Sequence, residues 1–150
     1  MSTDDFFSAA ADGDLSKVIS LLDQGVLVDS RGRYGATALF RAAYNGKIDV
    51  VSLLVQRGAD LNHQSDSGFT ALMDAAFNGM ESTVSLLLDK GANPQLKNKN
   101  GDTALAIAQS QQKLNVVVII QNHSAPVNND LISFVLYRWN DKCNFIKSHI

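Results

Sequence analysis

Cysteine is nearly missing from this chain of 150 residues: Cys143 stands alone, and one thiol cannot close an internal disulfide. That excludes a disulfide-stapled scaffold and fits a reducing compartment. Proline occurs twice and glycine ten times, too little of either for a long disordered stretch. No charge of one sign dominates, since 15 acidic residues face 13 basic ones for a formal net charge of -2. Nothing in that balance draws the chain toward nucleic acid or an anionic bilayer. The strongest apolar run, Val116–Ile120, falls far short of the ~20 residues that span a membrane. The opening stretch MSTDDFFSAAADGD is acidic and lacks the basic and apolar regions of a signal peptide. These absences lead to the expectation of a cytoplasmic protein, a nuclear location left open, that is a monomer when unbound. What is present, 45% hydrophobic and 19% charged residues, suits one folded domain with a real core.

The chain repeats itself. A shift of 33 residues brings Gly35, Gly68 and Gly101 into register, then Thr37, Thr70 and Thr103, then Leu39, Leu72 and Leu105. Ala9, Ala42, Ala75 and Ala108 form a further column, as do Gly13, Gly46 and Gly79. Val18, Val51, Val84 and Val117 align, and so do Leu21, Leu54, Leu87 and Ile120, with Gly25, Gly58 and Gly91 behind them. Such agreement marks a repeat architecture, in which no unit can bury its own apolar face and stacking does so instead.

Each column has a physical reading. A threonine ahead of an apolar periodic stretch is a helix N-cap, its hydroxyl accepting from an orphan amide of the first turn. The pairs Ala42–Ala43 and Ala75–Ala76 let helices approach closely. Gly46 and Gly79 end the short helix in a left-handed conformation. A second helix follows, with an apolar stripe too broad for a lone amphipathic helix, and Gly58 or Gly91 ends it. The polar stretches DLNHQSDS and NPQLKNKN read as exposed loop and turn. Helices are expected over 5–11, 15–24, 38–45, 48–57, 71–78, 81–90, 104–110 and 114–122.

The segments GATALFRAAYNG, VVSLLVQRGADLN and GFTALMDAAFNG resemble ankyrin repeats. The resemblance covers roughly residues 2–123. It implies an all-α solenoid of stacked helix-turn-helix units with β-hairpin fingers. An N-terminal cap repeat would occupy 1–34, full repeats 35–67 and 68–100, and a C-terminal cap repeat 101–123, together a domain over 1–123. Two departures stand out. Ala38, Ala71 and Ala104 replace the usual proline of the first helical turn. Phe40, Met73 and Ala106 replace the usual histidine, so apolar packing must substitute for its hydrogen bonds. In the fourth unit Gln112 stands in the glycine column, and Gln109, Gln111, Gln112 and Gln121 give a polar outer face. Beyond His123 the register breaks, and 124–150 reads as a C-terminal extension. Leu131, Ile132, Val135, Leu136 and Trp139 fall at helical spacing there, with a helix expected over 128–139 that covers the open end of the stack or serves as a docking segment.

The resemblance further implies a protein-binding scaffold whose concave face, made of finger tips and first helices, meets a partner protein. Mapped by column, that face is Arg33, Tyr34 and Ala36 on one finger, Asp66, Ser67 and Phe69 on the next, and Lys99, Asn100 and Asp102 on the third. The helices add Arg41, Tyr44 and Asn45, then Asp74, Phe77 and Asn78. Tyr34, Tyr44, Phe69 and Phe77 read as a hot-spot cluster, with Arg33 and Arg41 against Asp66 and Asp74 as its charges. The blander reading, in which Tyr44 or Phe77 merely packs between helices, stands beside it. The stretch LVQRGADLN also resembles the context of ankyrin-type asparaginyl hydroxylation, with Asn62 as acceptor.

Catalysis has little footing. His63, His123 and His149 are scattered, with no metal-ligand spacing, and Cys143 with His149 makes a poor nucleophile and base. The expectation is a non-catalytic module without cofactor or metal. A regulatory or inhibitory module of an enzyme complex, or a piece of a larger ankyrin-containing protein, is the alternative.

Overall fold

The computed structural model describes residues 2–124, where four helix pairs follow one another. The first pair is α1 (Thr3–Asp12) and α2 (Leu15–Asp23), and the second is α3 (Ala38–Tyr44) and α4 (Ile48–Gln56). The third is α5 (Ala71–Phe77) and α6 (Glu81–Asp89), and the fourth is α7 (Ala104–Ser110) and α8 (Leu114–Ser124). Every helix lies within two residues of the bounds the repeat predicts. The Cys143–His149 pair and the helix expected over 128–139 fall outside the described residues.

Local chemistry sets the helix ends. Thr70 and Thr103 accept from the amides of Met73 and Ala106, each at 3.2 Å, as N-cap hydroxyls should. Thr37 departs from that expectation: its hydroxyl is buried and has no partner among the described residues. The first helix of the second and third pairs stops ahead of a left-handed glycine. Gly46 (φ 65) sits in the left-handed region that favours glycine, and a Cβ there would lie 2.5 Å from Met80 Sδ of the following unit, so the flexible Met80 side chain would have to move aside.

Packing follows the columns. Ala42, Ala43, Ala75 and Ala76 are fully buried, and α1, α3, α5 and α7 form a row in which each touches the next. Helices α2, α4, α6 and α8 form a second row behind it. Over the first three pairs the first row is the more closely packed. Val18, Val51 and Val84, with Leu54 and Leu87, are fully buried between the rows, each contributing about 1.5–3 kcal/mol by burial. All the core residues join one continuous cluster.

Polar ties run from each unit to the next. Arg57 Nη1 meets Asp23 Oδ1 at 3.1 Å, the Asp60 amide donates to Asp29 Oδ1 at 3.0 Å, and Asn115 Nδ2 donates to Glu81 Oε1 at 2.7 Å. Asn62 Oδ1 accepts from the Asn93 amide at 2.8 Å, so the proposed hydroxylation acceptor is also a structural tie. The Phe40 column packs as expected: Phe40 and Met73 are buried, Ala106 half-buried. A histidine from elsewhere joins it. His63 lies edge-on to Phe40, with ring centroids 5.9 Å apart. Its Nε2 is 2.8 Å from the Gly35 carbonyl, an acceptor, so Nε2 carries the proton.

The fingers are turns. Each has one bond across its base, Gly32 N to Ala36 O (2.8 Å), Ser65 N to Phe69 O (2.9 Å) and Asn98 N to Asp102 O (3.0 Å), and a tight turn bond inside it, Gly35 N to Gly32 O (3.2 Å), Gly68 N to Ser65 O (2.8 Å) and Gly101 N to Asn98 O (2.9 Å). The expected hairpin strands are not seen among the described residues, because the limbs are too short to repeat the ladder. Adjacent fingers are joined through Asp66 N to Tyr34 O at 2.9 Å and Lys99 N to Ser67 O at 3.0 Å. On the fourth unit Gln109, Gln111, Gln112 and Gln121 are exposed as expected, and Leu114 and Val118 are exposed with them.

Candidate binding face

The first row of helices and the finger tips enclose an open groove of about 370 Å³. Its sides are built by the columns. Arg33, Tyr34 and Ala36 come from the first finger, Ser65, Ser67 and Phe69 from the second, Phe40, Arg41 and Tyr44 from α3, and Asp74 from α5. Eight mapped residues therefore converge, Arg33, Tyr34, Ala36, Arg41, Tyr44, Ser67, Phe69 and Asp74, whereas Lys99, Asn100 and Asp102 of the third finger do not line the groove. Asn45, Asp66, Phe77 and Asn78 lie outside the lining.

Packing does not account for all the aromatics. Tyr34 is 80% exposed, Tyr44 43% and Phe77 38%, whereas Phe69 is partly buried against the core. Tyr34 also sits in the left-handed region (φ 59), a conformation that costs a tyrosine about 1–2 kcal/mol. Its column equivalents Ser67 and Asn100 do not share that conformation. The two asparagines are tied down: Asn45 Nδ2 donates to Arg41 O and Asn78 Nδ2 to Tyr44 O, both at 2.8 Å.

The charges of the face are not neutralised by one another. Among the described residues, ion pairs form at Lys17–Asp5 and Arg57–Asp23, and Arg33, Arg41, Asp66 and Asp74 enter none. Burial raises the Asp74 carboxyl from its ordinary 3.8 to about 7, against the opposing pull of the Arg41 guanidinium. Desolvation therefore outweighs attraction at this site.

A second cleft, also of about 370 Å³, lies on the other side of the arginines. Asp4, Phe7, Ser8 and Ala11 of α1 form one wall, and Gly32, Arg33, Ala36 and Arg41 the other. Sequence reasoning missed both Phe40 and Phe7 as lining residues. The signal was a column: Phe7, Phe40, Met73 and Ala106 are each 33 residues apart, and its two large rings face the two clefts.

Chemically the groove is lined by aromatic rings, two guanidinium groups and the Asp74 carboxyl, with Asp66 beside it on the second finger. No group of His, Cys, Asp and Glu among the described residues is placed to hold a metal ion, and no described helix is long and apolar enough to cross a membrane. No curated protein matches the chain. A family model of ankyrin repeats in three copies matches residues 6–98, which spans the first three helix pairs and leaves the fourth beyond it. The chain belongs to the ankyrin-repeat family.

Proposed function

We propose that this chain is a non-catalytic protein-binding module that holds its partner on the face formed by α3, α5 and the first two fingers. Ankyrin repeats are generally protein–protein interaction modules, and the finer reading rests on one observation. Tyr34, Tyr44 and Phe69 converge with Arg33, Arg41 and Asp74 on a single groove. Aromatic side chains bring large apolar area with few rotors to freeze, so they bind at low entropic cost. The charges set orientation and partner choice more than affinity.

The test is affinity capture from the native host, comparing the intact chain with one carrying Tyr34→Ser, Tyr44→Ser, Phe69→Ser and Phe77→Ser. The intact chain is expected to retain a partner that the variant releases. With the purified partner, Tyr44→Ala should weaken binding by about 2 kcal/mol or more and leave the circular dichroism spectrum in place. Retention of the same partner by the fourfold variant would move the site elsewhere.

A further inference from the structure

We propose that residues 125–150 of this chain fold back onto the outward face of the fourth unit, where the apolar stripe Leu131, Ile132, Val135, Leu136 and Trp139 covers Leu114, Val117 and Val118. The segment ends the stack in place of a fifth repeat, at a site apart from the groove.

The columns show which side of each second helix faces onward. Glu81 of α6 accepts from Asn115 of α8 at 2.7 Å, so the Glu81 side of α6 looks toward the next unit. Glu81, Val84, Ser85 and Leu88 share that side, at i, i+3, i+4 and i+7. With α8 packed beside them, Val84 and Leu88 are buried. One period later the same side of α8 carries Leu114, Val117, Val118 and Gln121, and no described unit follows it. Leu114 is 74% exposed, whereas its column equivalents Leu15 and Ile48, which have a successor, are 36% and 38% exposed. Val118 is exposed, and Val117 is half-buried where Val84 is fully buried. A terminal repeat needs a polar outer face. Gln109 and Gln121 meet that need, but α8 keeps the aliphatic side chains of an internal unit.

Beside this stripe lies a hollow of about 300 Å³, with Thr103, Leu105, Gln121 and Ser124 in its lining. The third-unit counterparts of the first three, Thr70, Leu72 and Leu88, are buried, so the hollow stands where a successor would pack. That successor is not another helix pair. Gln109 is exposed in the column of the buried Ala43 and Ala76, and its bulk bars the close approach of a further first helix. One element laid along α8 fits instead.

The chain itself supplies that element. It leaves α8 at Ser124, on the lip of the hollow. The period does not restart beyond it: Phe134, Leu136 and Arg138 stand where the glycine, threonine and leucine columns would continue. Leu131, Ile132, Val135, Leu136 and Trp139 recur instead at the spacing of one helix face. Residues 124–131 reach at most about 23 Å when extended, and α8 is about 16 Å long, so the stripe can return along the whole of α8. A short tether also holds the segment at an effective concentration in the millimolar range, which a second copy at micromolar concentration does not match.

The experiment uses the full chain and two sets of substitutions. Leu114→Glu with Val118→Ser gives the face the residues that the third unit carries in those columns. Leu131→Ser, Val135→Ser and Trp139→Ser together strip the segment. Amide hydrogen exchange is read by mass spectrometry, and sedimentation velocity gives the oligomeric state. In the unsubstituted chain, exchange over 131–139 should be at least about tenfold slower than in an unstructured chain. Each set should abolish that protection and speed exchange over 114–121, and the two combined should do no more than either alone. Unchanged protection over 38–90 checks that the variants fold. Should either set disturb 38–90, Val118→Ser alone and Trp139→Ser alone are read in the same way. The protection should be the same from about 5 to about 100 μM, in a monomer. Exchange over 131–139 at the unstructured rate, or protection there that survives the face substitutions, overturns the proposal. Protection that rises with concentration together with a dimer also overturns it and assigns the face to a second copy.

Discussion

The Asn78 side-chain amide donates to the Tyr44 carbonyl at 2.8 Å, tying the end of α5 to the end of α3 in the preceding unit. Its column partner Asn45 instead donates back to Arg41 O within its own helix. One residue type in one column thus does two jobs, joining units in one copy and closing a helix in the other. Asn78→Ala should cost about 1 kcal/mol, because it removes a bond that joins two units at a helix end. Asn45→Ala, at an exposed position, should cost less, about 0.5 kcal/mol. Urea unfolding of the two variants checks the difference, and equal losses would show that the tie between units contributes nothing.

Thr37 and Thr70 occupy the same column and make opposite predictions. The Thr70 hydroxyl caps α5 by accepting from the Met73 amide, so Thr70→Val removes a cap and should destabilise by about 1 kcal/mol. The Thr37 hydroxyl is buried without a partner, so its desolvation is uncompensated. Thr37→Val keeps the shape and removes the orphan group, and should be neutral or stabilising by up to about 1 kcal/mol. Melting temperatures of the pair decide the matter. A loss at Thr37 as large as at Thr70 would mean that the hydroxyl has a partner.

Gln112 stands where Gly46 and Gly79 stand in earlier units, and it adopts the same left-handed conformation, with φ 56. At Gly46 and Gly79 a Cβ would collide with Met80 and Lys113 of the next unit, whereas Gln112 is exposed. The crowding is relieved and the backbone strain remains. Gln112→Gly should therefore stabilise the chain by about 1 kcal/mol, since a non-glycine residue in this region costs about 1–2 kcal/mol and glycine returns part of that as chain entropy. Gly46→Ala should cost more than this gain. Denaturant midpoints measured for both variants test the contrast.

The repeat made the architecture legible because core contacts lie within a unit or between adjacent units, so one 33-residue period carries the helix bounds, the Leu54 and Leu87 column and the alanine pairs together. What the period could not carry was difference between copies. Thr37 and Thr70 are identical in sequence, and only their surroundings separate the silent hydroxyl from the cap. The expectation of hairpin strands came from the resemblance, and each finger is a tight turn with one bond across its base and no ladder beyond it. The groove was half legible. Tyr34, Tyr44, Arg33, Arg41, Phe69 and Asp74 follow from column positions, but Phe40 looked like core and Phe7 like part of a cap. Both line clefts because a large ring can be buried on one side and bound a hollow on the other. The raised Asp74 carboxyl had no sequence signal, since its burial depends on two helices and a finger meeting around it.

That carboxyl gives the last prediction. In the folded chain Asp74 titrates near 7, against 3.8 as the ordinary value. Between those two values the folded state holds a proton that the unfolded state has released. Unfolding therefore sheds a proton across the window, and stability falls as pH rises through it and levels off above about 7. The full shift of about three units would correspond to about 4 kcal/mol, and remaining solvent contact reduces the expected loss to on the order of 2 kcal/mol. Asp74→Asn removes the linkage and keeps the shape. Other carboxylates titrate in both proteins, so the difference between wild type and variant isolates Asp74. At about pH 4.5 the two should be similarly stable, and at about pH 8 the variant should be ahead by about 2 kcal/mol. Urea unfolding at several pH values measures this directly. A constant difference from acid to alkali would place the Asp74 titration outside the window.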